Sequence, residues 1–268
     1  MTAAVALVTG ASSGIGKAAA EALHRARFEV VGTSRSASGS ASPGGVKLIT
    51  LDVTSDASVE GAVGHVIEEF GRIDVLVNNA GIGITGAAEE SSIAQTQSLF
   101  DVNTFGFIRM AKAVLPHMRG RGSGRIINVS SVVGFLPQPY MAAYTASKHA
   151  IEGWSESVDH EVREHGVRVL LVEPAWTRTG LDANGPLPDT PLAFYAPQRR
   201  VFEKILSASL KDGDDPAIVA KTIVTAATAA FPKQRYPAGQ LAARLRTLRR
   251  LVPVSVFDRQ VRKLNQLA

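Results

Sequence analysis

Residues 5–16 read Val5-Ala6-Leu7-Val8-Thr9-Gly10-Ala11-Ser12-Ser13-Gly14-Ile15-Gly16. An unbroken apolar run from Val5 to Val8 predicts a buried strand, and the glycines after it predict a tight turn. Ala18, Ala19, Ala22 and Leu23 follow at helical spacing. Strand, glycine turn and helix in that order suit a dinucleotide. Glycines let the backbone approach a pyrophosphate, and a helix N-terminus offers free N–H groups and the positive end of a dipole. The spacing is G-x-x-x-G-x-G, not the more common G-x-G-x-x-G. Structural turns use the same residues, so the assignment needs company elsewhere in the chain.

Outward from this turn, strand and helix candidates alternate. Strands are expected near 4–9, 29–33, 46–50, 73–77, 124–129 and 167–173, with a short seventh near 234–236. Helices are expected over 15–26, 56–70, 92–118, 142–165 and 216–230. Asp215-Pro216 reads as a helix start, a capping acid followed by proline in the first turn. Such alternation predicts an α/β fold, a doubly wound parallel sheet of about seven strands with helices on both faces. Length and 45% hydrophobic content fit one domain, 1–268, better than two. Ser36–Gly45 is short and rich in Ser and Gly, which predicts a loop without a helix.

Tyr144-Thr145-Ala146-Ser147-Lys148 supplies the chemistry. On a helix, positions i and i+4 share a face, so a phenol and an ammonium point into one space. A free phenol has a pKa of about 10, too high for proton exchange near neutrality. A neighbouring cation favours the phenolate and makes tyrosine a usable acid/base. Ser131 lies thirteen residues before Tyr144.

Taken together, TGASSGIG, Asn78-Asn79-Ala80-Gly81, Asn103, Ser131, Tyr144 and Lys148 resemble the short-chain dehydrogenase/reductase superfamily, in its subgroup with TGxxxGxG and YxxxK. The match runs in order from residue 5 to about residue 180. The resemblance implies a Rossmann-type domain and a Tyr/Lys/Ser/Asn tetrad that interconverts a carbonyl and an alcohol. Tyr144 would exchange the proton with the substrate oxygen. Lys148 would lower the tyrosine pKa and hold the nicotinamide ribose. Ser131, favoured over Ser130 by the interval, would hydrogen-bond the substrate oxygen. Asn103 would hold a water that relays protons from Lys148. Gly10, Ser12, Ser13, Gly14, Ile15 and Gly16 would cradle the pyrophosphate, and Asp52 and Val53 would meet the adenine. Asn79, Ala80 and Gly81 would border the cofactor, as would Pro174, Thr177 and Thr179. His149, adjacent to Lys148, should project elsewhere.

The resemblance also frames the cofactor preference. Relatives that prefer NAD end the second strand with an acid, whereas this chain has Val30-Val31-Gly32-Thr33-Ser34-Arg35. Ser34 and Arg35 suit the 2′-phosphate of NADP(H), because a guanidinium pairs with phosphate and an acid would repel it. One departure is Ala175, where relatives carry glycine after Pro174; Thr177 replaces the usual Val or Ile. Alanine restricts the backbone there.

No cysteine is present, which excludes disulfides, thiolate metal sites and a cysteine nucleophile; no metal is expected. A strand that starts almost at Met1 leaves no room for a signal peptide, and no apolar run is long enough to span a bilayer; the expectation is a soluble, cytoplasmic protein. The net charge of +5 is concentrated where Arg244, Arg246, Arg249, Arg250, Arg259, Arg262 and Lys263 crowd the C-terminal extension, 239–268. No nucleic-acid motif accompanies them. Leu241, Leu245, Leu248 and Leu251/Val252 fall at helical spacing, so the helix packs its leucines on the body or on a subunit. A basic helix resting on a membrane surface is the rival reading. The family commonly forms homodimers or homotetramers.

Residues 181–214 hold Pro186, Pro188, Pro191 and Pro197 among Leu187, Leu192, Phe194 and Tyr195, which predicts a substrate-binding loop or lid. With Phe135, Leu136, Pro137, Pro139, Tyr140 and Met141 beyond Ser131, the pocket is expected to take a lipophilic carbonyl or secondary alcohol, steroid-like or long-chain. The alternatives are a 3-oxoacyl thioester reductase and a catalytically idle NADP-binding sensor or scaffold.

Overall fold

A computed structural model describes residues 3–37, 45–180 and 185–267. Seven strands form one parallel sheet: β1 (Val5–Val8), β2 (Glu29–Ser34), β3 (Lys47–Thr50), β4 (Val75–Asn78), β5 (Gly124–Val129), β6 (Val167–Pro174) and β7 (Arg235–Ala238), in the order β3-β2-β1-β4-β5-β6-β7. From β1 the chain winds outward to β2 and β3, then returns to place β4 on the opposite side. That reversal leaves a crevice at the carboxyl ends of β1 and β4, where such sheets bind their ligands.

Helices cover both faces. α1 (Gly14–Arg25) and α7 (Pro216–Thr228) close one side, where Ala19, Ala20 and Leu23 meet Val219, Ile223 and Ala226 over the β1 residues Ala6 and Val8. α2 (Asp56–Phe70), α4 (Gly106–Gly120) and α5 (Ala142–Val162) close the other, packing Val59, Val63, Met110, Val114 and Val158 on Leu7 and Leu76. Central strands such as β1 and β4 are buried on both faces, which is why they read as uninterrupted apolar runs. Ser55 caps α2 by accepting from the Ser58 N–H, and Gly71 ends it with φ 72°. Asp215 accepts from the Ala217 N–H ahead of Pro216, as its sequence predicts.

Two elements differ from the sequence expectation. The single helix expected over 92–118 is α3 (Ile93–Phe100) and α4, joined by a π-type turn at Asp101–Phe105. In that turn the Asn103 amide reaches the backbone of Ile82. The segment expected as a loop over 181–214 contains α6 (Ala196–Lys211), which starts next to Pro197 and buries Phe202 and Leu206. Residues 181–184 of that segment, and residues 38–44 of the expected loop after β2, lie outside the described residues. The chain ends in α8 (Gln240–Leu251) and α9 (Val254–Leu264).

Candidate active site

The glycine turn is built for close approach. Gly10 has φ 66°, and a Cβ there would lie 3.0 Å from the Ala80 Cα. A Cβ on Gly16 would lie 2.2 Å from the Gly10 carbonyl oxygen, so any side chain at position 16 displaces the turn. The Asn79 side-chain amide donates to the carbonyls of Thr9 (3.0 Å) and Gly10 (3.3 Å). The Thr9 hydroxyl in turn accepts from the N–H groups of Asn79 and Ala80. Asn79-Ala80-Gly81 is therefore the buttress of the glycine turn. Ser13, at the cap position of α1, makes no side-chain capping bond, which leaves the first-turn N–H groups to serve the cavity.

One cavity of about 1150 Å³ runs from this turn in both directions. Toward the β2 end it meets Ser34, Arg35, Asp52 and Val53. Arg35 is exposed and close enough to influence Asp52, whose carboxyl is held below its usual range first by hydrogen bonds from the Thr54 N–H and hydroxyl and then by Arg35 and Arg109. An anionic group entering there would meet the α1 N-terminus and then a guanidinium. The close-approach glycine turn and the α1 N-terminus fit the pyrophosphate of a nicotinamide dinucleotide.

The other direction leads to Tyr144 and Lys148, one turn apart on α5 and only 7% and 4% exposed. Lys148 Nζ donates to the Val129 carbonyl at 2.9 Å and lies 5.6 Å from the Tyr144 ring centroid. Ser131 shares this wall; its hydroxyl accepts from the Val133 N–H (3.3 Å) and donates to the Pro174 carbonyl (3.4 Å). The Ser130 hydroxyl is directed to Glu152 at 2.7 Å and is committed to the core. His149 is exposed and bonds to the Thr145 carbonyl, away from the cavity. Pro174, Thr177 and Thr179 also line the cavity, and Thr179 lies beside Gly14. Ala175 does not adopt a positive φ, so alanine sits there without strain and the turn needs no glycine. Asn103 is fully buried and stands behind the wall. Its amide accepts from the Ile82 N–H (2.9 Å) and donates to the Ile82 carbonyl (2.8 Å) and to Ser147 (3.3 Å).

Sequence reasoning missed the charges behind this wall. Arg235 donates to Glu152, Glu156 and Glu173, tying β6 and β7 to α5. Burial opposes the Arg235 charge, but the three carboxylates outweigh it and raise its pKa. Burial, with the Glu152 charge beside it, pushes Glu173 up. Its signal in the sequence is a lone acid at the end of the apolar run Val169–Val172. Missed as well was Glu90, fully buried, which accepts from the N–H groups of Ala87 and Leu192 and pairs with Arg199 of α6. That carboxylate fastens the 185–199 segment to the body.

Beyond Tyr144 the cavity continues as an apolar arm between α6, α8 and α9, lined by Trp176, Ile205, Leu241, Leu245 and Leu248. Of the residues expected to cover the body or a subunit, Leu241, Leu245, Leu248 and Val252 line this arm, Leu245 also packs on the core as expected, and Leu251 is exposed. Among the described residues, no helix is long and apolar enough to cross a membrane, and no group of three or more His, Asp or Glu side chains could hold a metal ion.

The family model for short chain dehydrogenases matches residues 4–187. A 3-ketodihydrosphingosine reductase of Bacteroides thetaiotaomicron is 45% identical over 178 residues, covering 66% of this chain and 65% of that relative's length. Retinol dehydrogenase 8 of Bos taurus is 36% identical over 256 residues, 85% of this chain and 79% of the relative. A short-chain dehydrogenase from Streptomyces avermitilis, solved by crystallography, superposes with a TM-score of 0.83 at 35% identity, over 99% of this chain and 96% of that one.

Proposed function

The chain belongs to the short-chain dehydrogenase family, and on that premise we propose that it is an NADP(H)-dependent oxidoreductase interconverting a ketone and a secondary alcohol on a lipophilic substrate. The observation that carries this reading is the buried Tyr144–Lys148 pair in a cavity shared with Ser131 and continuous with the glycine turn.

Each residue has a task. The glycine turn and the α1 N-terminus bind pyrophosphate; Ser34 and Arg35 take the 2′-phosphate; Asp52 and Val53 border the adenine. Lys148 holds the nicotinamide ribose, and Pro174, Thr177 and Thr179 hold the carboxamide side. When bound, the cofactor supplies or accepts the hydride. Ser131 donates a hydrogen bond to the substrate oxygen and stabilises charge that builds there. Tyr144 gives its phenolic proton to that oxygen in reduction and takes it back in oxidation, with the Lys148 ammonium stabilising the phenolate. Asn103 holds the Ile82 backbone in register and would hold a water that links Lys148 to solvent as a proton relay. Arg35 in place of an acid supports NADP(H) over NAD(H). The apolar arm supports a lipophilic substrate, as do relatives named for a ketone of dihydrosphingosine and for retinol.

NADPH consumption against small, aromatic, steroidal, long-chain and acyl-thioester ketones tests the proposal. At least one ketone should be reduced, with turnover falling on the order of 10²- to 10⁴-fold in Tyr144→Phe. Turnover unaffected by that substitution would remove Tyr144 from the chemistry, and silence across the panel would contradict the reductase reading.

A further inference from the structure

The last two helices are unusual in what they do not bury. α8 and α9 together contain one fully buried residue, Ala242. Helices of 12 and 11 residues are marginal alone and depend on packing of an apolar face. Here the apolar faces exist, but they border the cavity. Leu241, Leu248 and Leu264 line it and are 45%, 48% and 70% exposed. Ala242, Leu245 and Phe257 pack on the body, and polar clamps add to that hold. The Gln138 side-chain amide donates to Asn265 Oδ1 at 2.7 Å, joining the end of α9 to the loop after Ser131. Arg249 stacks on the Phe257 ring at 5.2 Å and donates to the Phe135 carbonyl at 3.4 Å.

We propose that the seam between α8 and α9 is the binding site for a linear hydrocarbon tail of the substrate, whose carbonyl end lies at Tyr144. The proposal rests on the carbonyl-reductase reading for its polar end. Three features select the occupant. The arm is continuous with the cavity that holds Tyr144, so what fills it is attached to what reacts. Its length follows α8: Leu241, Leu245, Leu248 and Val252 form one row, about 16 Å long at the helical rise. A row of that length matches on the order of a dozen carbon–carbon bonds of an extended chain. Its walls are chiefly Leu and Val, with Trp176, Phe257 and the polar Gln260 and Asn265 also lining the cavity. Such walls suit a flexible aliphatic chain more than a rigid planar ring system. The tail would add to the packing that α8 and α9 already have through Ala242, Leu245 and Phe257.

The test is a length series of 2-alkanones with NADPH, from hexan-2-one to hexadecan-2-one, read as kcat/KM. Each methylene that leaves water favours binding by about fourfold at full burial; the partly open seam should still give at least about tenfold from six to twelve carbons. Val256→Trp, which fills the seam, should reduce the ratio of dodecan-2-one to hexan-2-one at least tenfold. A length profile that is flat in the native chain overturns the proposal, as does a preference for 2-decalone over decan-2-one. The native series decides the matter even should the tryptophan variant fail to fold. Binding is read separately from Trp176 emission in a Trp154→Phe background, since the chain has two tryptophans. Affinity rising with length while no ketone is reduced would uphold the seam and reject the reductase reading. Reduction of all lengths with equal affinity would do the reverse.

Discussion

At position 35 a guanidinium stands where an acid would favour NAD(H). Arg35 is exposed at the end of β2, in the same cavity as the glycine turn, and its charge reaches Asp52. Arg35→Glu exchanges attraction for repulsion at the 2′-phosphate. NADPH binding should weaken roughly 10- to 100-fold, the scale of a charge-assisted hydrogen bond, while NADH changes by less than about threefold. Titration of both cofactors by fluorescence checks this; equal losses would mean that Arg35 does not read the phosphate. Much of the site was legible at this scale. That Tyr144 and Lys148 share a helix face follows from their spacing, and the choice of Ser131 from the resemblance to the family. What sequence could not supply was partnership. Ser130 and Ser131 are chemically identical, and the partner of the Ser130 hydroxyl, Glu152, lies twenty-two residues away in sequence. The concern over Ala175 likewise needed a backbone angle that no residue name carries.

Elements add constraints that arise from distant contacts. Asp159 on α5 is fully buried and accepts from Arg168 Nε (2.8 Å), the Val169 N–H (2.9 Å) and Arg163, fixing α5 to the start of β6. Burial pushes its carboxyl up, but the hydrogen bonds from Arg168, Arg163 and Val169 outweigh it, and the pKa is lowered. A lowered folded-state pKa means the unfolded chain takes up the proton first as pH falls. This stability is therefore present above the unfolded value, about 3.9, and is lost as pH drops through the lower folded value. Asp159→Asn removes the charge and leaves two guanidinium groups without it, which should cost about 3 kcal/mol at pH 7. The difference in urea midpoint between the two proteins should shrink below about pH 4; a constant difference down to pH 2 would contradict the assignment. The same dependence on remote partners explains the divided helix. Residues 92–118 read as one apolar-periodic helix, and the π-type turn exists where Asn103 meets Ile82, twenty-one positions earlier in the chain. The period of the α8 leucines was legible, whereas their direction was set by the cavity they border.

Over the whole molecule, the winding of strands from β1 outward on both sides places the glycine turn, the end of β2 and the amino-terminal half of α5 around one crevice. Alternation of strands and helices made this architecture readable, because parallel strands buried on both faces must be apolar throughout. The C-terminal helices were harder, since their partner is a cavity that lies between elements far apart in sequence. Under the proposed function the chemistry has a single centre, where Tyr144 would protonate the carbonyl oxygen and the bound cofactor would supply hydride. Incubation with 4-deuterated NADPH of the transferable face and dodecan-2-one, followed by mass spectrometry of the product, tests it directly. The account predicts dodecan-2-ol carrying one deuterium on the carbinol carbon, formed by the native protein and lost in Tyr144→Phe. Bound NADPH with no labelled alcohol from this or any other ketone would contradict it.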